Sequence, residues 1–331
     1  MKMNTSKGKQ FGKKILQKIR LRFLTSKDIK RFSKTASLSL YDASFDQLTS
    51  RIIYNVHAIE KGMSHSYNFR AGFGKKALSD LNDSLVLYME KDYDLEGFAY
   101  KEGRSIILKY ISLHNEKDED TSFLADYVDT EFMQKDEKYR CTGVKEVIGK
   151  DKLNNHNKNF YELAQGRSSV RDFSGDPIDK NKIYSAIQNA TKTPSVCNRQ
   201  GWRVYLVEDK DKIQKLLDFQ HGFKGYPKLP EVVLAIAVSN STFLSPVERN
   251  EAFTDGGLFS MSVIYGLEYE GLAAVALNAM MNSKDENAIR NLLDIHEDDQ
   301  LSLFIAIGGF KSKTISPVSD RKNIDSFLIE I

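Results

Sequence analysis

The chain has 331 residues, 41% apolar and 28% charged, with a formal net charge of +3 and two cysteines. It is long enough for two domains with a core each, and its composition is that of an ordinary soluble globular protein. No window approaches the run of about 18 apolar residues that spans a bilayer; no secretory signal is expected; and Cys141 and Cys197 lack the spacing of a disulfide framework or zinc site, so a reducing cytoplasm is the expected compartment.

Charge is unevenly placed. Residues 1–34 hold 12 Lys/Arg and one acid, Asp28, while the remainder sums to −8. A nucleic-acid-binding domain would carry its basic stripe on the folded body, so no nucleic-acid partner is expected. Within this arm, Phe11, Ile15, Leu16, Ile19 and Phe23 share one face and Lys13, Lys14, Lys18, Arg20 and Arg22 lie elsewhere, which predicts a basic amphipathic helix over 9–24. It reads either as a charged extension or as a segment docking on an anionic membrane surface or an acidic partner.

The next helix is predicted over 44–62 from Phe45, Leu48, Ile52, Val56 and Ile59, with Gly62 as its stop. Helices over about 73–92 and 97–114 complete a small helical subdomain, residues 35–115. Its segment His57-Ala58-Ile59-Glu60-Lys61-Gly62 puts His57, Glu60 and Lys61 on one face, with His65 close by. A solvated ion-pair face, a polar lid near a substrate and, more weakly, a metal site are all open readings, and no metal is assigned. Residues 116–159, rich in Asp, Glu, Lys and Asn, read as a charged linker with short helices.

All six prolines follow residue 176, and from residue 160 the pattern alternates. A short helix over 160–165 precedes helix 179–191; strand 202–207, helix 210–219, the continuous apolar strand 232–238, helix 255–270, strand 272–277, helix 284–293 and strand 301–308 follow. Together these predict an α+β sandwich over residues 160–331, preceded by the small helical subdomain.

Three blocks carry the chemistry. Arg167-Ser168-Ser169-Val170-Arg171 sets two guanidinium groups and two hydroxyls within five residues, a site for a phosphate with a polar ring beside it. Then come Thr193-Pro194-Ser195-Val196-Cys197-Asn198-Arg199-Gln200-Gly201-Trp202, and Asp255-Gly256-Gly257 opening a long helix that ends at Glu270-Gly271-Leu272. In this order and spacing, over about residues 160–325, the blocks resemble the nitroreductase family of FMN-dependent oxidoreductases.

That resemblance implies a nitroreductase-like α/β sandwich that binds FMN at a homodimer interface. NADH or NADPH would be the transient electron donor, and a small-molecule acceptor, nitroaromatic or quinone-like in vitro, would take the electrons. It places Arg167, Ser168 and Ser169 at the FMN phosphate and Arg171 at the pyrimidine edge of the ring. Pro194, Ser195 and Asn198 would reach a partner's flavin. The backbone at Leu277, Asn278 and Ala279 would lie near N5, and Arg321 would be a second phosphate ligand. Val196 and Gly201 depart from the family's usual serine and proline. Cys197 reads as a small semi-buried residue and Asp255 as a helix N-cap. No protein group is nominated as catalytic, and no GxGxxG follows a strand, so the nicotinamide nucleotide would not sit in a Rossmann domain. The His57–Gly62 segment looks like a branch of the family found with polysaccharide-assembly enzymes. Dedication to a cell-envelope polysaccharide intermediate, or a non-catalytic FMN-binding scaffold, are the alternatives.

Overall fold

A computed structural model describes residues 2–65, 69–128 and 142–331, with side chains from residue 11 onward. Cys141 and the middle of the expected linker lie outside the described residues. Two compact units emerge: residues 1–34 with 148–314, here the sheet unit, and residues 35–147 with 315–331, here the helical unit. The expected division kept the whole of 160–331 together; instead, residues 315–331 group with the helices.

In chain order the helices and strands begin with α1 (Lys2–Thr35), α2 (Phe45–Met63), α3 (Lys75–Glu90), α4 (Phe98–Asn115) and β1 (Val144–Ile148). Next come α5 (Phe160–Gly166), α6 (Lys180–Ala190), β2 (Trp202–Val207), α7 (Lys210–Gln220) and β3 (Val232–Ser239). The last are α8 (Glu251–Tyr269), β4 (Ala273–Asn278), α9 (Ser283–Leu293), β5 (Asp299–Gly308) and β6 (Lys313–Pro317). α1 runs well past the predicted 9–24. The segment read as linker contributes β1, which pairs with β6 in a two-stranded sheet. Five residues with mixed burial carry too weak an alternation to be seen in sequence.

The helical unit packs α2, α3 and α4 around one apolar cluster that includes Leu48, Ile52, Ile59, Leu81, Leu85, Ile106 and Tyr110. α2 starts where Ser44 and Gln47 form a reciprocal capping box. Gly62 does not end it: the helix continues to Met63 and is capped by Ser64. A Cβ at Gly62 would lie 2.3 Å from the Phe73 ring, so this glycine is there for packing.

In the sheet unit four strands run in the order β2-β3-β5-β4, each pair antiparallel. β3 lies second from the edge and every one of its eight residues is buried, hence its continuous apolar run. α6 and α8 cover one face, burying Ile183, Ala186, Phe259, Val263 and Leu267 against Leu234, Ile236, Ile305 and Ile307. The two helices approach closely at Gly266, where a Cβ would sit 2.8 Å from Ala186 Cα. Trp202 stacks on Phe259 at 4.7 Å, fixing the start of β2 against α8.

Candidate functional site

The first block leaves α5 at Arg167, whose N–H still closes the helix on Leu163. α5 is short, held at its start by a capping box between Asn159 and Glu162. After Arg167 the chain straightens and joins the free edge of β4: Ser169 bridges Ala274 in parallel, and the Val170 amide donates to the Ala274 carbonyl at 3.1 Å. Arg167 Nη1 donates to Ser169 Oγ at 3.3 Å, and Ser168 is buried. Leu277 and Asn278 follow Ala274 along β4 and Ala279 comes directly after it, so this segment begins about 10 Å further along that edge. Leu277 and Ala279 are buried, whereas Asn278 is exposed.

Arg171 is buried, 9% exposed, and its Nε and Nη1 have no hydrogen-bond acceptor among the described residues. Burial pulls its pKa below the usual arginine value; the Tyr226 hydroxyl, hydrogen-bonded to the guanidinium, pulls the other way. Behind it an aromatic stack runs from Phe173 to Phe223 at 5.8 Å and on to Tyr226 at 5.3 Å. The next residue is fixed too: Asp172, buried, takes Lys311 Nζ at 2.5 Å.

At the other end of the block lies a group that sequence reasoning missed. Lys152 Nζ donates to the Gly166 carbonyl at 2.6 Å and to Glu268 Oε1 of α8 at 2.5 Å, with both side chains buried. Asn155 Nδ2 donates to the Glu268 backbone carbonyl. Lys152 lay in a stretch read as linker, and its partner is 116 residues away; no local pattern joins them.

The second block is anchored elsewhere. Asp255 was expected to cap α8, but that helix begins at Glu251 after Asn250. One turn inside it, the buried Asp255 carboxylate accepts the Val196 amide at 3.1 and 3.3 Å. Ser195 Oγ accepts the Gln200 amide at 3.0 Å. Cys197, Asn198 and Gln200 all have positive φ, 49°, 55° and 50°, a conformation uncommon for side-chain-bearing residues that here bends the loop into β2. Arg199 is spent structurally on Glu248 and on the Thr242 carbonyl at 2.8 Å. The Arg199–Glu248 hydrogen bond holds Glu248 down at about 2 and raises Arg199. Cys197 is an exposed free thiol rather than a semi-buried one, and Pro194 and Asn198 are exposed. Since β2 and β4 form opposite edges of the sheet, this block enters about 14 Å from the edge that carries Arg167–Arg171 and Leu277–Ala279.

Arg321 falls in the helical unit, exposed, its guanidinium donating to the Ser319 carbonyl. There Glu60 is no solvated ion-pair face. It is 1% exposed and accepts the amides of Gly143 at 3.1 Å and Ser319 at 3.2 Å. His57 Nδ1 lies 3.6 Å from Glu60 and 3.2 Å from the Ser319 hydroxyl. Glu102 nearby is pushed up to about 7, first by burial and then by the negative charges of Asp320 and Glu60.

Residues 164–224 match the family model for the nitroreductase family. A protein of Archaeoglobus fulgidus, provisionally named an NADH dehydrogenase/NAD(P)H nitroreductase, is 25% identical over 165 residues, which are 50% of this chain and 93% of that protein. Among solved structures, a provisionally named nitroreductase of Bacillus subtilis aligns with a TM-score of 0.45 at 18% identity, covering 52% of this chain and 98% of its own. An FMN-dependent nitroreductase of Clostridium difficile aligns with a TM-score of 0.40 at 18% identity, over 45% and 87%.

Proposed function

We propose that this nitroreductase-family chain, whose residues 164–224 match the family model, is an FMN-dependent oxidoreductase drawing on NADH or NADPH. Arg171 is the observation that carries the reading. A buried guanidinium with two unanswered N–H-bearing nitrogens costs stability unless a ligand brings acceptors. The N1–C2=O edge of a flavin offers them and gains negative charge on reduction, which a fixed cation in a low-dielectric site stabilises. The donor set therefore fits FMN.

Bound FMN supplies two-electron chemistry at N5. The chain's own part is binding and orientation. Arg167, Ser168 and Ser169 take the phosphate, Arg171 the pyrimidine edge, and the backbone of Leu277, Asn278 and Ala279 the N5 side. No protein general acid is assigned. Pro194, Ser195 and Asn198 enter from the opposite sheet edge, so in this reading they serve the site of a second copy, and the enzyme is a homodimer. Dependence on the NAD(P)H pool places it in the cytoplasm. A nitroaromatic or quinone is the acceptor for assay.

The test is the absorbance spectrum of the purified protein together with Arg171→Leu. Flavin bands at one FMN per subunit are expected. The leucine variant should bind FMN about ten- to a hundredfold more weakly, the loss of a charge-assisted contact, with the ligand-free melting temperature unchanged or higher. No flavin bands even with excess FMN sinks the reading; bands without NAD(P)H turnover reduce it to a flavin-binding scaffold.

A further inference from the structure

The basic arm is absorbed by none of this, and α1 shows which way it faces. Gln17, Leu24 and Asp28 are its half-buried residues, and their spacing of seven and four puts them on one side of the helix. Asp28, the arm's single acid, is bound by Arg249 of the same unit at 2.5 Å. Arg249 holds the Asp28 carboxyl below the usual aspartate range.

The apolar stripe points the other way. Phe11, Ile15, Ile19 and Phe23, four residues apart, are 67%, 44%, 58% and 58% exposed, and Leu16 beside them is 67% exposed. Over twelve residues the stripe runs about 18 Å. Lys14, Lys18 and Arg22 line one edge at the same four-residue spacing, and Lys13, Arg20 and Lys27 lie along the other. A helix held to its own domain by its polar side would ordinarily bury its apolar side there. This one is inverted.

We propose that α1 is a docking helix for an anionic phospholipid surface, lying in the interface with Phe11, Ile15, Ile19 and Phe23 against the acyl boundary and its basic edges on the headgroups. Charge decides between lipid and a second copy. Another α1 would bring a like charge of +11, and the −8 of the remaining sequence is spread over some 300 residues. An anionic leaflet attracts each near-surface basic residue by about fivefold in partition. No helix of the described residues is long and apolar enough to cross a membrane, so the contact is peripheral.

The experiment is co-sedimentation of the full-length protein with phosphatidylcholine vesicles, with and without about 30% phosphatidylglycerol. The protein should pellet with the anionic vesicles at low salt, and less as salt rises. Ile15→Glu with Ile19→Glu, and separately Lys14→Glu with Lys18→Glu, should each lower the partition at least tenfold. Neither should move the melting temperature. Failure to pellet on anionic vesicles overturns the proposal, as does pelleting that the stripe variant does not weaken. If the wild type ignores vesicles and the stripe variant splits a dimer by light scattering, the face belongs to a second copy and the lipid assignment falls. Flavin absorbance read on the same samples separates this outcome from loss of the cofactor site.

Discussion

Lys152→Met removes one partner of a buried ion pair and leaves the other in place. Lys152 and Glu268 side chains are 7% and 4% exposed, with Nζ 2.5 Å from Oε1. Without the ammonium, Glu268 keeps among the described residues only the long 3.4 Å contact from Asn155 to its carboxylate, and the Gly166 carbonyl loses a 2.6 Å donor. An uncompensated buried charge of this kind costs about 3–5 kcal/mol. For a unit of roughly 200 residues that lowers the melting temperature by about 6–20 °C. Lys152→Met with Glu268→Met removes the charge problem and leaves chiefly the orphaned carbonyl, about 1–3 kcal/mol, so the double variant should recover part of the loss. The assay is thermal unfolding followed by circular dichroism on wild type, both single variants and the double. A fall under 2 °C for Lys152→Met, or a double variant as unstable as the worse single, would refute the reasoning. Because Lys152 grips the residue before Arg167, the single variant should also release FMN faster at temperatures where it remains folded.

Glu102 carries a pH signature. Its carboxyl is raised from 4.5 to about 7, so its contribution is fully present below 4.5 and lost as pH rises through 7. Glu102→Gln should therefore match wild type near pH 4.5 and melt higher than it at pH 8; a temperature gap that does not change with pH contradicts this. The proposed dimeric site is tested by mixing. Arg167→Ala and Asn198→Ala homodimers should both bind FMN weakly, and heterodimers of the two should regain one tight site of the two, read by flavin fluorescence. Heterodimers no better than their parents would place Asn198 outside the partner's site.

The legible parts of this chain are those whose cause is local. The apolar spacing of Leu48, Ile52, Val56 and Ile59 marks α2, and the unbroken Val232–Val238 run marks the buried β3. The proposed anion site at Arg167 to Arg171 can be read as a candidate because its charges and hydroxyls are contiguous. What sequence could not give depends on distant partners. Gly62 looks like a helix stop until Phe73 is seen against it. Asp255 resembles a cap because the signal for α8 is apolar periodicity, whereas the helix begins a turn earlier with Glu251, Ala252 and Phe253. Lys152 and Glu268 look like solvated charge until the fold buries them, and Lys311 until it is seen paired with the buried Asp172. Alternating strands and helices also leave strand direction open, and here every pair in the larger sheet is antiparallel.

Both units are discontinuous in sequence, and this sets the order in which they can be finished during synthesis. Helices α2 to α4 are complete by residue 115, yet the buried carboxylate of Glu60 is shared between the amides of Gly143 and Ser319. At translation rates of about 5–20 residues per second, the 172 residues from Ile148 to Ser319 take on the order of 10–30 s to make. Throughout that interval the nascent helical bundle must hold Glu60 and Glu102 without the segment that closes over them, in a form open to chaperones and proteases. Cutting the gene after the last strand of the larger sheet would therefore injure the helices encoded near its start, well away from the cut.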